Sequence, residues 1–334
     1  MVCIVPLADW PPCSSIPVSS RAVVFNLANK QCLNSWNHPW ALATTHLAIG
    51  SSCMLPLWLP LPRLNMDWSV RWASVRQRPS LSRADLMQML PVVALLAIGH
   101  VTSTLAPAYG TVAFSNIIKT AEPIFTCVFS ALMYERAFPL RVYANLLLVI
   151  LGVGLVSTRE LNFSSFSLAA GMLSNAAFAL YSIGAKGLLA RLDVRSTYAI
   201  LTALSCLMLT PVSLVAEASG IGASRLAAAN LQPRFTGWSL AGLLAVTGLV
   251  QYLSNEVAFC TLSMIHPVTY ALANTIKRSI VVVASLMFFR QSLPPLGAAG
   301  AALALVGALG YSIAIHRERL RAEHFAAHVS LSRS

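Results

Sequence analysis

Lys277 and Arg278 stand side by side in the middle of a long apolar stretch, HPVTYALANTIKRSIVVVASLMFF (residues 266–289), with no acid within several residues. At bilayer depth an ionisable side chain costs about 2.5–3.5 kcal/mol on insertion scales, so the pair needs a counter-charge from elsewhere. Lys119 lies about nine residues from either end of its own apolar run, too deep for its stem to carry the charge easily to the headgroups. Arginine can hold two oxygens of a phosphate in its planar fork, and lysine adds a point charge. Two lysines and one arginine converging at depth therefore suit a divalent phosphate group. Glu122, one turn after Lys119, could pair with that lysine, but Lys277 and Arg278 would then remain unmatched, so a bound anion is the better account. A proton relay would need carboxylates or several histidines at depth, and only Glu122 and Glu256 are available there.

Such charges must be carried by membrane-spanning elements. The chain has 334 residues, 57% of them hydrophobic and 10% charged, with mean hydropathy +0.69. A soluble domain is typically about 25% charged, so the composition indicates an all-α polytopic membrane protein. Apolar runs punctuated by Gly, Pro or charge predict helices at 39–60, 85–106, 110–134, 139–157, 166–189, 197–219, 235–262, 266–290 and 295–315. A marginal first helix around 21–33, interrupted by Asn26, Asn29 and Lys30, brings the expected number to ten. Residues 1–20 form an atypical or truncated N-terminal segment with no readable targeting signal. Residues 61–85 read as a soluble loop, with a short interfacial helix carrying Trp68 and Trp72. The seven cysteines show no metal-like spacing and read as small core residues, with no metal and no cofactor implied.

Ten spans would put both termini on one side with the loops after even-numbered helices. That side then holds fifteen of the 23 Lys and Arg, the other side holds five, and Lys119, Lys277 and Arg278 lie within helices. The bias places both termini in the cytosol or its topological equivalent. It also accounts for the net charge of +12 without nucleic acid, because no basic patch is interleaved with aromatics on a soluble segment. An internal repeat is visible as well. IIKTAEPIFTCVFSALMYERAFP (117–139) resembles TIKRSIVVVASLMFFRQSLPP (275–295), and LGVGLVS (151–157) resembles VGALGYS (306–312), so Lys119 corresponds to Lys277. Five helices per unit is an odd number, which inverts the second copy. The expected units are 21–160 and 161–316, followed by a basic tail at 317–334, and inverted repeats of this kind surround a midplane site in secondary transporters.

From about Asn26 to Ser312 the chain resembles the plastidic phosphate translocators, the triose-phosphate/phosphate translocator family of the drug/metabolite transporter superfamily. The matching blocks are NLANK (26–30), HLAIG (46–50), GHVTS (99–103), VAFSNIIKTAEPIF (112–125), SNEVAF (254–259) and HPVTYALANTIKR (266–278). The Lys-Arg ending of the last separates sugar-phosphate exchangers from the nucleotide-sugar branch, which commonly has Lys-Thr. The resemblance implies ten helices in two inverted halves and antiport of phosphorylated C3, C5 or C6 metabolites against inorganic phosphate. It implies that Lys119, Lys277 and Arg278 hold the phosphate, and that His100 and Ser103 on the third helix also contact substrate. Alone, His100 would read as a packed core histidine. Two positions depart from the family pattern at the carbon end of the substrate: Tyr181 replaces an arginine, and Ser254 replaces a tyrosine, with Tyr252 nearby as a substitute. The implied membrane is that of a plastid or plastid-derived organelle.

Two rival readings remain open. A nucleotide-sugar transporter of the same superfamily, in Golgi or ER membranes, would exchange for nucleoside monophosphate. A membrane-embedded phosphotransferase would need acidic metal ligands or a catalytic histidine near an interface. No nucleophile, base and orienter converge in the apolar helices, so a transporter and not an enzyme is expected.

Overall fold

The computed structural model describes residues 18–58, 82–134, 138–159, 164–189, 194–219, 237–264, 267–289 and 294–331. The interfacial helix expected around Trp68 and Trp72, and nearly all of segment 1–20, lie outside them. The described residues are helical, in the order α1 (Val18–Ser35), α2 (Pro39–Trp58), α3 (Arg83–Tyr109), α4 in two halves, α5 (Leu140–Arg159), α6 (Ser165–Leu189), α7 (Val194–Ala218), α8 (Gly237–Met264), α9 (Pro267–Phe288) and α10 (Pro295–Leu331). The halves of α4 are Val112–Ile118 and Glu122–Tyr134, joined by a 3-10 turn at Lys119–Ala121. Six helices among the described residues, α3, α4, α5, α6, α7 and α10, are long and apolar enough to cross a bilayer. Polytopic membrane architecture follows.

Local sequence explains the boundaries. Ser82 starts α3 with a capping box: its hydroxyl accepts from the Ala84 amide at 3.2 Å, and its own amide donates to Asp85 Oδ2 at 3.0 Å. Thr111 caps α4, its hydroxyl accepting from the Phe114 amide at 3.1 Å. The break in α4 has its cause in Pro123. A proline has no amide hydrogen for the carbonyl four residues back, here Lys119, and its ring crowds that carbonyl. The turn tightens, and the Glu122 amide bonds Lys119 O instead.

The principal packing pairs are α5 with α10, α3 with α6, α2 with α7, α2 with α8, α4 with α6, α1 with α8 and with α9, α3 with α7, and α4 with α9. At the α5–α10 contact small residues let the backbones touch: a Cβ at Gly300 would lie 2.9 Å from Gly152 O, and one at Gly307 would lie 2.8 Å from Asn145 O. The first half of α4 is buried along its whole length, with Phe114, Ile117 and Ile118 packed among Val149, Val153, Val282 and Ala304.

Two expectations change. The first helix, marginal as a span by its apolar content, nonetheless runs unbroken from Val18 to Ser35, and two of its polar residues bond neighbouring helices: Asn26 Oδ1 accepts from Asn116 Nδ2 at 3.2 Å, and Lys30 Nζ donates to Pro107 O at 2.6 Å and Gly110 O at 3.0 Å. The lysine thereby satisfies carbonyls left open at the C-terminus of α3. The last helix does not end near 315 but continues to Leu331. HRERLRAEHFAAHVSL holds no Gly or Pro and is rich in Arg, Glu, Ala and Leu, so nothing in it stops a helix.

Candidate functional site

The 3-10 turn leaves backbone carbonyls without their α-helical partners, and neighbouring helices claim them. Asn175 Nδ2 of α6 donates to Ile118 O at 2.8 Å, and Arg278 Nη1 of α9 donates to Lys119 O. Arg278 Nη2 is ion-paired with Glu122 Oε2 at the first residue of the second half of α4. The guanidinium is 13% exposed and the carboxylate 28%. Glu122 therefore pairs with Arg278 and not, as the sequence suggested, with Lys119.

Lys119, Lys277 and Arg278 are all partly buried, and Lys119 lies within electrostatic range of both of the others. Three cations and one carboxylate thus converge where α4 breaks and α9 passes. These four side chains carry a net charge near +2 in an apolar surround, a charge that a doubly charged anion would balance.

His100, 4% exposed, lies within electrostatic range of Lys119 from α3 and is hydrogen-bonded to the backbone of Ala43 on α2. Ser103, three residues on, is partly buried. Its neighbours Thr102 and Thr104 spend their hydroxyl protons on the α3 backbone, at Ile98 O (2.7 Å) and His100 O (3.1 Å). Tyr181 and Tyr252 share one cluster with Met89, Val92, Leu96 and Tyr198, where the Tyr198 and Tyr252 rings are 5.7 Å apart and Tyr181 meets Phe178 edge-on at 6.4 Å. Ser254 Oγ, on α8, is sealed from solvent and has no hydrogen-bond partner among the described residues. The three cations thus gather at the α4 break, while Tyr181 of α6 and Tyr252 of α8 share an aromatic cluster with Tyr198 of α7; His100 and Ser103 stand on α3 and Ser254 on α8.

Sequence reasoning passed over His46, Asn175 and Thr247. Asn175 answers a need that Pro123 creates, so the Lys-Thr-Ala-Glu-Pro run was the available signal. His46 sits in the HLAIG block, and its partner Thr247 is two hundred residues away with no local mark.

Residues 20–312 match the Triose-phosphate Transporter family, and the chain belongs to it. This is a family of membrane transporters. Among its relatives, the glucose-6-phosphate/phosphate translocator 2 of Arabidopsis thaliana chloroplasts is 34% identical over 87% of this chain and 71% of its own length. The xylulose 5-phosphate/phosphate translocator of the same plant is 30% identical over 89% and 68%. The triose phosphate/phosphate translocator of Spinacia oleracea is 27% identical over 87% and 68%. One crystal structure, 14% identical, shares the fold with a TM-score of 0.53 over 90% of this chain and 96% of that one.

Proposed function

We propose that this protein is an antiporter, exchanging phosphorylated C3, C5 or C6 metabolites for inorganic phosphate across a plastid-type membrane, with Lys119, Lys277 and Arg278 holding the phosphate. The convergence of these cations at the break in α4 carries the reading. Phosphate translocators of chloroplasts are its relatives, and exchange of a phosphate ester for phosphate requires what this site offers, a clamp for the moiety common to both. His100, Ser103, Tyr181, Tyr252 and Ser254 would face the remainder of the organic substrate.

Ten spans in two inverted five-helix halves fit this activity. The packing supports that arrangement: adding five to each helix number turns α3–α6 into α8–α1, α4–α6 into α9–α1 and α2–α8 into α7–α3, all contacts that occur. The pairs α2–α7, α4–α9 and α5–α10 map onto themselves. An inverted repeat generates such mates, and it puts the two clamp lysines on equivalent helices. Reconstitution into liposomes loaded with inorganic phosphate tests the function. Counter-exchange of external labelled phosphate and of sugar phosphates is expected, while release of chemically altered substrate would show an enzyme instead.

A further inference from the structure

His46 on α2 is 2% exposed, and its ring lies 6.3 Å from that of His100, nearly perpendicular to it. Hydrogen bonds fix which nitrogen of each ring carries the proton. A neutral imidazole has one donor and one acceptor nitrogen, and a further cation beside Lys119 would be costly in an apolar span. His46 Nε2 is 3.1 Å from Thr247 Oγ1. The single hydroxyl proton of Thr247 is already given to its own helix, at Leu243 O (2.8 Å) and Leu244 O (3.1 Å). His46 Nε2 must therefore be the donor, which leaves Nδ1 as the acceptor. A carbonyl can only accept, and the amide of Ala43 is used within α2, so His100 donates to Ala43 through the nitrogen opposite Nε2. That makes His100 Nε2 an acceptor too. Both His46 Nδ1 and His100 Nε2 are sealed from solvent and have no partner among the described residues.

Two buried acceptors lacking a donor, one ring from Lys119, are costly unless something brings the donors. Carboxylates cannot supply them, being acceptors only, and neither can a fully ionised phosphate. Hydroxyl groups can. We propose that His46 and His100 form a hydroxyl-recognition pair, with Thr247 as the positioning residue that sets the His46 tautomer, and that they select phosphate esters bearing a free hydroxyl over those with no donor to offer. This deepens the transport reading and rests on it.

The test compares exchange of a hexose 6-phosphate and glycerol 3-phosphate with that of their monodeoxyfluoro counterparts, in which fluorine retains size but cannot donate. The wild-type protein is expected to favour at least one hydroxylated compound by roughly tenfold over its fluoro counterpart, as for loss of a buried hydrogen bond. In His46→Leu that ratio should fall towards one. Thr247→Val, nearly the same in shape, releases the proton of His46 to move to Nδ1, and the ratio should fall there too. Residual phosphate homoexchange by each variant shows that it is folded. Ratios that stay at the wild-type value in both variants, or wild-type ratios near one for every compound, overturn the hydroxyl pair while leaving phosphate transport standing. A wild-type protein that exchanges no phosphate at all would remove the transport reading and this inference with it.

Discussion

Lys277 and Arg278 are neighbours in sequence with different obligations. Arg278 holds the Glu122 carboxylate and the Lys119 carbonyl, both at the α4 break, whereas Lys277 is presented to the same centre without either of those bonds. Lys277→Gln is therefore expected to abolish phosphate exchange, by about a hundredfold or more, with thermal stability retained or raised, since it removes an expensive charge. Arg278→Gln is expected to abolish exchange and also to lower the melting temperature, because it strands a half-sealed carboxylate. Equal melting temperatures for the two variants would refute this division of labour. Tyr181 sits among Phe178, Met89 and Val92, so its replacement by arginine must bring a cation to an apolar cluster. Such a charge is tolerated best with an acid beside it. Tyr181→Arg should raise the exchange rate of phosphoglycerate relative to neutral sugar phosphates severalfold, and an unchanged ranking would show that position 181 does not face the site.

The break in α4 is where local sequence makes the site possible. Because Pro123 has no amide hydrogen, Lys119 O takes only the Glu122 amide of the 3-10 turn from its own helix, in place of the α-helical bond, and Arg278 donates to the same carbonyl. Pro123→Ala should accordingly let α4 run straight, holding or increasing thermal stability while lowering exchange by about tenfold or more. Unaltered exchange would mean that the bend is ornamental. Most of the helices were legible in the sequence because spanning runs are long and their ends carry Gly, Pro or charge. The charged centre was legible because lysine and arginine at such depth demand a counter-charge, and the sequence around Lys277 and Arg278 offers none. Harder to see were contacts whose two halves are distant in the chain. Asn26, Asn29 and Lys30 look like interruptions of α1 because the partners of Asn26 and Lys30, Asn116 and the end of α3, are about eighty or ninety residues on. Glu122 points to the near lysine because proximity along the chain is all a sequence offers, whereas its partner comes from α9.

At the scale of the whole molecule, charge dictates coupling. An alternating-access carrier must close around its site on both sides, and closing the empty form would withdraw Lys119, Lys277 and Arg278 from water with, among the described residues, Glu122 alone against them. The residual charge is near +2. A divalent phosphate cancels it, and because the cations stand on α4 and α9, one in each proposed half, the same ligand bridges those halves. The loaded form can then cross while the empty form is held back, so transport should be strict exchange with little net uniport. Glu122 sets how strict. With Glu122→Gln the empty site carries near +3, so the empty form should cross still less often and net efflux should fall below that of the wild type. Uptake into phosphate-loaded liposomes should exceed uptake into empty ones by about tenfold or more for the wild type, at matched protein incorporation and with leakage subtracted. The ratio should widen in Glu122→Gln wherever that variant retains exchange. Equal initial rates into loaded and empty vesicles would defeat the coupling argument even if all three cations bind substrate.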